Sequence, residues 1–261
     1  MKLTLYQVDA FADKVFKGNP AAVCPLTEWL ADDELLSIAK ENNLSETAYY
    51  VIKENVVEIR WFTPVVEIEL CGHATLATAY VLHHFENFQQ DTINFFSPLS
   101  GNLSVAVQQG KFILDFPANQ ITQTALTDEL LATTNKKPML AFKGTTKYML
   151  VFARQEDIET IEPNLPLIAG LDIGGIIVTA KGKNHDFVSR FFAPALGVNE
   201  DPVTGSAHTL LTPFWANELN KTELKAFQLS ERGGELDCRL LGDRVELGGK
   251  AVLYMKGEIF I

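Results

Sequence analysis

Residues 60–80, RWFTPVVEIELCGHATLATAY, are echoed further along the chain by residues 190–211, RFFAPALGVNEDPVTGSAHTLL. Both stretches run from an Arg through an aromatic residue and a Phe to a Pro, then through an acidic loop to a Gly that opens an apolar segment. The interval from the Pro to the Gly is 8 residues in the first copy and 11 in the second. A shared motif with the same kind of segment after it favours two diverged copies of one unit over a chance resemblance.

Strand-like segments outnumber helix-like segments and mostly follow one another along the chain. Residues 46–54 and 56–62 are rich in β-branched and aromatic side chains, which predicts two such strands. The order therefore indicates the α+β class and not a parallel βαβ sheet. We assign residues 1–117 to an N-terminal half and residues 118–261 to a C-terminal half, with the C-terminal strand as a candidate to join the first half.

Helical spacing of apolar residues predicts a helix over residues 32–43, with Asp32 or Asp33 as its N-cap and Asn42 or Asn43 in the left-handed closing position. The segments after the repeated motifs are apolar on nearly every face, so we expect each of these two helices to be enclosed by other elements. Pro213 lies within the second of them and is expected to kink it or to shift its start.

The composition excludes several functional classes. The 22 Lys and Arg against 33 Asp and Glu give a formal net charge of −11. A protein that binds nucleic acid or an anionic membrane is expected to carry a basic surface, so this composition argues against both kinds of partner. No segment predicts a signal peptide or a membrane span, so we expect a soluble, cytoplasmic protein. Cys24, Cys71 and Cys238 match no metal-site spacing and are expected to be reduced thiols.

Each repeated motif opens its helix with a Gly, Gly72 in the first copy and Gly205 in the second. A helix start offers unpaired backbone N–H groups and the positive end of the helix dipole, which favour a carboxylate or phosphate. Two such openings in one cleft would bind a small anion. The alternative is that each Gly only satisfies a steric need at a tight turn.

Several side chains near these openings are candidates for chemistry, and each has a structural alternative. Glu46 lies between a helix end and an aromatic strand, where it would serve proton transfer if buried, or it is an exposed loop residue. His73 and His208 are either proton-exchanging groups or structural caps. Asp201 would cap the second helix or position a substrate amine, and Cys71 is either a helix-terminal acid/base or a buried, inert thiol.

At these residues the sequence resembles the PhzF-like family, the phenazine-biosynthesis-type isomerases. The resemblance covers nearly the whole chain through these ordered motifs: VDAFADKVFKGNPAAVC at 8–24, NNLSETAY at 42–49, RWFTPVVEIELCGHATLATA at 60–79, SRFFAPALGVNEDPVTGSAH at 189–208 and LSERGGEL at 229–236. It implies the diaminopimelate epimerase-like fold: two similar α+β halves, each a curled, mostly antiparallel sheet around a central helix, with the active site in the cleft between them.

The resemblance also implies an isomerase that needs no metal and no cofactor and moves a proton on a small carboxylic acid. Its catalytic carboxylate is Glu46. The residues implied to surround the substrate are His73, Gly72, Asp201, Gly205, Ser206 and Asn19. A homodimer is implied by the resemblance alone.

Related amino-acid epimerases have a thiol before the Gly at both helix openings. Here Cys71 occupies the first of these places, but Thr204 precedes Gly205. This difference argues against two-thiol epimerisation and leaves Cys71 as a helper of Glu46. Two alternatives stay open: a cofactor-free epimerase or racemase that uses Cys71 or His73 with Glu46, and a non-catalytic ligand-binding protein on the same fold.

Overall fold

The computed structural model describes residues 1–54 and 56–261. The strands, numbered along the chain, are β1 (Lys2–Ala10), β2 (Asn19–Leu26), β3 (Glu46–Lys53), β4 (Val56–Phe62), β5 (Glu67–Ile68), β6 (Thr92–Ser97), β7 (Gly101–Gln108), β8 (Lys111–Pro117), β9 (Thr122–Thr124), β10 (Leu140–Lys143), β11 (Tyr148–Val151), β12 (Ile176–Lys181), β13 (Phe187–Phe192), β14 (Glu223–Gln228), β15 (Gly234–Leu241), β16 (Arg244–Gly249) and β17 (Ala251–Phe260). The helices are α1 (Asp32–Asn42), α2 (Gly72–Phe85), α3 (Asp128–Leu131), α4 (Gln155–Glu159), α5 (Leu165–Ala169) and α6 (Gly205–Leu219), with a 3₁₀ turn at Pro194–Leu196.

The chain divides into two compact units. Unit 1 comprises Met1–Asp115 together with Gly248–Ile261, and unit 2 comprises Phe116–Leu247. The C-terminal strand β17 belongs to unit 1, where it runs antiparallel to β1 along that strand's whole length. The first half of the chain is therefore completed by its last residues.

The sheet of unit 1 is mostly antiparallel, with two parallel pairs among its described strands. Strand β1 pairs antiparallel with β17 and β2. Strands β2 and β3 are parallel and are joined through α1, and β3 and β4 are antiparallel. Strands β4 and β6 are parallel across α2, and β6, β7 and β8 follow as an antiparallel meander. A parallel pair needs a crossover connection, and a helix supplies each of them.

Unit 2 repeats this order of connections. Strands β9, β10 and β11 are antiparallel neighbours, and β11 and β12 are parallel across α4 and α5. Strands β12 and β13 are antiparallel, and β13 and β14 are parallel across α6, after which β15 returns antiparallel to β14. The α+β class expected from the order of strands and helices is confirmed.

The helices α2 and α6, which follow the repeated motifs, are enclosed as expected. Nine of the fourteen residues of α2 are buried, and α2 packs against β1, β2, β3 and β17. Nine of the fifteen residues of α6 are buried, and α6 packs against β14 and β15. A helix without a polar face is stable in this setting because apolar neighbours surround it.

Helix ends differ in part from the sequence predictions. Ala31 is the N-cap of α1, so the prediction of Asp32 or Asp33 was wrong; both lie inside the first turn, where a negative charge still favours the helix dipole. Asn43 has the predicted left-handed conformation, with a φ of 49°. Helix α6 begins at Gly205 and continues through Pro213, so the proline does not shift its start.

None of the helices in the described part of the chain is long and apolar enough to cross a bilayer. The three cysteines are free and buried.

The similarity between the two repeated motifs extends to an ion pair that was not predicted from the sequence. Arg60 donates to the two carboxylate oxygens of Glu67 over 2.7 and 2.6 Å, and Arg190 donates to those of Glu200 over 2.7 and 2.9 Å. Each guanidinium also lies over the ring of the Phe two residues further on, 5.1 Å from its centroid in unit 1 and 4.8 Å in unit 2. In each copy, a bidentate ion pair thus connects an Arg on a strand to a Glu in the segment that precedes the helix.

Replacing these arginines by lysine is expected to destabilise the protein unequally. Lysine keeps the charge but loses the planar fork. Arg190 also donates to the carbonyls of Ile158 and Ile161, which Arg190→Lys would leave without this donor. We expect about 1–2 kcal/mol for Arg60→Lys and about 2–4 kcal/mol for Arg190→Lys in urea unfolding. Arg154→Lys, at an exposed pair, is the control, and an equal loss in Arg60→Lys and Arg190→Lys would contradict this account.

Candidate active site

Unit 1 brings together four of the residues that the sequence singled out. Asn19 is the first residue of β2 and Glu46 the first of β3, and these neighbouring strands run parallel, so both residues lie at the same edge of the sheet. Cys71 is the N-cap of α2, and His73 lies in its first turn. The site is thus built where two strands and the central helix begin.

His73 occupies the middle of this cluster. Its Nε2 lies 3.1 Å from Oε2 of Glu46, and its Nδ1 lies 3.3 Å from Nδ2 of Asn19 and 3.5 Å from Sγ of Cys71. The His73 side chain is 7% exposed and that of Glu46 16%. Oε2 and Nε2 are close but not aligned for a hydrogen bond, and neither atom has a hydrogen-bond partner among the described residues. Buried polar atoms without partners are costly, which points to a ligand that would satisfy them.

The charges in this cluster depend on one another. Burial raises the pKa of the Cys71 thiol, and the Glu46 carboxylate raises it further. Burial alone would lower the pKa of His73, but the neighbouring Cys71 and Glu46 side chains hold that pKa well above its usual value. Because a thiol that keeps its proton carries no charge, we assign this effect to Glu46. The Cys71 thiol therefore keeps its proton around neutral pH.

Gly72 is the first residue of α2, between the thiol and the imidazole. The first turn of this helix contains no acidic residue, so no side chain of that turn competes with an incoming anion. Its leading N–H groups lie at the positive end of a fourteen-residue helix. This end of α2 suits a carboxylate group.

In unit 2, three residues organise the second helix opening. Thr204 is the N-cap of α6, and its hydroxyl donates to Oδ2 of Asp201 over 2.5 Å. Of the two alternatives for Asp201, the helix cap was wrong, and the positioning of a substrate amine stays a prediction. Oε1 of Gln228 accepts the Thr204 N–H over 2.9 Å, and Nε2 of Gln228 donates to the Asp201 carbonyl over 2.6 Å. Asp201 is therefore held by groups on both sides of the loop.

Gly205 is the first residue of α6 and is buried, whereas Ser206 is exposed and its carbonyl accepts from the hydroxyl of Thr209 over 2.9 Å. Gly205, Ser206 and Asp201 belong to unit 2, whereas the residues of the cluster around Glu46 belong to unit 1. That both helix openings bind one substrate stays a prediction.

With this geometry in view, known proteins provide a test of the resemblance. The model of the PhzC-PhzF family, described as phenazine biosynthesis-like protein, matches residues 8–257. The chain belongs to the PhzC-PhzF family.

Individual relatives are similar over the whole chain. A Pseudomonas aeruginosa protein named as an uncharacterized isomerase is 48% identical over 261 residues, which is 100% of both chains. The crystal structure of a PhzF family protein from Enterococcus faecalis is 45% identical, with a TM-score of 0.97 over 100% of both chains. The predicted family is confirmed, and it is one whose relatives include named isomerases.

A more distant likeness concerns the fold alone. The crystal structure of a hydroxyproline epimerase from Agrobacterium vitis superimposes with a TM-score of 0.62 at 9% identity, over 99% of this chain and 92% of that one. The epimerase-like fold expected for a PhzF-family chain is thereby confirmed.

Gln228 is a residue of this PhzF-family site that the sequence analysis missed. It is fully buried at the end of β14, directly before the LSERGGEL motif. Within that motif, the Ser230 hydroxyl donates to the Pro202 carbonyl over 2.8 Å. The available signal was an amide at a position where the alternation of β14 calls for an apolar residue.

His208 is structural, which resolves the alternative that the sequence left open. The side chain is fully buried, and its Nδ1 lies 2.8 Å from the Thr204 carbonyl, to which it donates. Burial lowers the pKa of His208 to about 4, so the ring is neutral around neutral pH. Its hydrogen bond to Thr204 stabilises the first turn of α6, and the ring does not act as a proton donor in catalysis.

The depressed pKa of His208 predicts a loss of stability in acid. Because the unfolded chain has a His pKa of about 6.5, protons bind the unfolded state preferentially below that value. The stability is complete above about pH 6.5 and falls as the pH approaches about 4, by about 2–3 kcal/mol between about pH 7 and pH 4.5. Urea unfolding at both pH values checks this. His208→Gln should remove that part of the pH dependence, and an unchanged slope in the variant would contradict the assignment.

Proposed function

We propose that this PhzF-family chain is a cofactor-independent isomerase that moves a proton on a small carboxylic acid, with Glu46 as the acid/base group. The observation that carries the proposal is the pair of buried atoms, Oε2 of Glu46 and Nε2 of His73, that lie 3.1 Å apart without hydrogen-bond partners at the start of α2. A carboxylate buried beside a helix N-terminus is arranged for a substrate and adds little to stability by itself.

The proposed reaction begins with the substrate carboxylate at the first turn of α2, where Gly72 offers a backbone N–H. Glu46 removes a proton from an acidic C–H bond, and the electron pair of that bond delocalises towards the substrate carboxylate. The helix dipole and the His73 imidazolium stabilise the enolate-like charge that develops. Protonated Glu46 then returns the proton to another carbon, so that a double bond changes position and no further reactant is consumed.

One group that takes and returns the proton on the same side suits an allylic shift. Inversion of a stereocentre usually requires a group on each face of the carbon. Asp201, Gly205 and Ser206 are proposed to bind the rest of the same substrate, as their motif implies.

The test is a panel of small unsaturated and amino carboxylic acids incubated with the protein in deuterated water. Deuterium should enter one acid at carbons that flank its double bond, as read by NMR and mass spectrometry. Acids that raise the thermal midpoint of the protein without any incorporation would overturn the isomerase and support the ligand-binding alternative.

A cofactor-free epimerase is the second candidate, and Cys71 is the observation that favours it. Its thiol lies 3.5 Å from Nδ1 of His73, so it could supply a second proton-transferring group. Thr204 at the other helix opening argues against a second thiol. Stereochemistry separates the two: incorporation at a carbon whose configuration is inverted indicates the epimerase, whereas a moved double bond indicates the isomerase.

A further inference from the structure

The cluster in unit 1 combines three kinds of metal-binding atom. Glu46 offers a carboxylate oxygen, Cys71 a sulfur and His73 a ring nitrogen, and these three atoms lie within 4.8 Å of one another. Oxygen, nitrogen and thiolate sulfur together form the ligand set that zinc accepts in proteins. We propose that these side chains form a binding site for a thiophilic divalent cation of the Zn²⁺ class, and that its occupation blocks proton transfer by Glu46.

The distances are close to those that a tetrahedral ion requires. Zinc binds sulfur at about 2.3 Å and nitrogen or oxygen at about 2.0–2.2 Å, so its ligand atoms are about 3.3–3.6 Å apart. Nε2 of His73 and Oε2 of Glu46 are 3.1 Å apart, Sγ of Cys71 lies 3.5 Å from Nδ1 of the same ring, and one ligand atom from each of the three residues lies within 4.8 Å of the others. Side-chain movements of about 1 Å would complete the geometry.

The surroundings of His73 fit metal coordination through Nε2. This nitrogen has no hydrogen-bond partner among the described residues, while the other ring nitrogen faces the Asn19 amide at 3.3 Å. A metal-bound histidine typically donates its second ring N–H to an acceptor. The Asn19 amide can serve in that role with its oxygen turned towards Nδ1.

Charge balance also favours a dication. When the ion is bound, its ligands would be the Cys71 thiolate, the neutral His73 imidazole and the Glu46 carboxylate, and any proton that Cys71 or His73 carried goes to the buffer. The two negative charges match the two positive charges of the ion, so a buried site need not hold an uncompensated charge. Three protein ligands leave a fourth coordination position for water or a substrate carboxylate.

Occupation of this site has a direct consequence for catalysis. The carboxylate lone pair that would remove the substrate proton is engaged by the ion. This inhibition rests on the proposed function, whereas binding of the ion rests on the geometry alone.

The binding test uses Co²⁺ as a spectroscopic substitute for Zn²⁺. Titration of the chain of 261 residues, freed of metal by a chelator, should give a thiolate-to-cobalt absorption band that saturates at one ion per chain and disappears when Zn²⁺ is added. Cys71→Ala should abolish the band. Cys238→Ala is the matched control: that thiol is also buried but belongs to no such cluster in the part of the chain that the structure describes, so its band should match the wild type.

Two further variants test the other ligands. Glu46→Gln and His73→Gln should each weaken Zn²⁺ binding in calorimetry by more than the about 10- to 100-fold that loss of an outer-shell partner costs. Circular dichroism spectra like that of the wild type would show that each variant is folded. Absence of the cobalt band in the wild type, or its survival in Cys71→Ala, would overturn the site.

Inhibition separates the two proposals. Zn²⁺ should suppress deuterium incorporation by the wild-type protein, and a chelator should restore it. If the ion binds but the metal-free protein exchanges deuterium into none of the acids, the proposed function fails and the metal site stands. If exchange occurs and Zn²⁺ neither binds nor inhibits, the metal site fails and the proposed function stands.

Discussion

Glu46→Gln is expected to slow deuterium incorporation into the substrate acid about 10²- to 10⁴-fold, the range that a positioned general acid/base contributes. Glutamine has nearly the same shape as glutamate, so it fills the same space at the start of β3. It cannot accept the substrate proton, and it removes the negative charge beside His73. NMR under single-turnover and steady-state conditions would measure the change in rate.

The control is Glu218→Gln, which makes the same chemical change at an exposed position near the end of α6. Its exchange rate should equal that of the wild type. Equal rates in the wild type and Glu46→Gln would contradict a catalytic role for Glu46. Unfolding in urea should be measured beside the kinetics, because a lower rate without a lower stability attributes the effect to chemistry.

Gly18→Ala is expected to destabilise the protein by about 2–5 kcal/mol. Gly18 has a φ of +66°, and a Cβ built there would lie 2.0 Å from the Ala10 carbonyl oxygen and 2.9 Å from the Cβ of Ala12. The left-handed conformation costs a non-glycine residue about 1–2 kcal/mol, and forcing the neighbouring chain apart costs about 1–3 kcal/mol more. The free energy of urea unfolding would measure the sum.

Gly110→Ala provides the matched control. Gly110 has a similar φ of +73°, but a Cβ there would meet nothing within 4 Å, so only the conformational cost applies. If the two variants lost equal free energies of unfolding, the close approach of residue 18 to Ala10 would not contribute to the destabilisation. Because Gly18 directly precedes Asn19, its variant should also change the environment of the His73 ring, which NMR of the imidazole can follow.

The apolar pattern of the chain was sufficient to predict much of the fold. The enclosed α2 and α6 followed from segments without a polar face, and the two similar units followed from the motif repeated at residues 60–80 and 190–211. The pattern could not predict which strands are neighbours. A parallel pair such as β13 and β14 depends on a crossover through the core, and no local signal in either strand specifies its partner.

For the candidate site too, the sequence predicted the residues but not their contacts. Glu46 and His73 were named from their places beside predicted helix ends, and Asn19 from a motif that the resemblance supplied. Their contacts join residues 27 and 54 positions apart in the chain, which only the strand register brings together. The caps were the weakest predictions. An acidic residue near a helix start suggests an N-cap, but Asp201 instead accepts a hydrogen bond from Thr204, the true N-cap.

The Arg–Glu contacts of the two units bear on how this family can diversify. In both copies the Arg precedes the Pro by 4 residues and the Glu precedes the helix-opening Gly by 5, so the 3 extra residues of the second copy all fall between Pro194 and Glu200. They lie in a segment whose two ends are held together by the contact between Arg190 and Glu200. Insertions there can reshape what the chain presents in front of the helix without moving the helix itself. If the second helix opening binds substrate as proposed, a lineage could acquire new substrates by lengthening this segment, and the proposed proton chemistry around Glu46 would be unchanged.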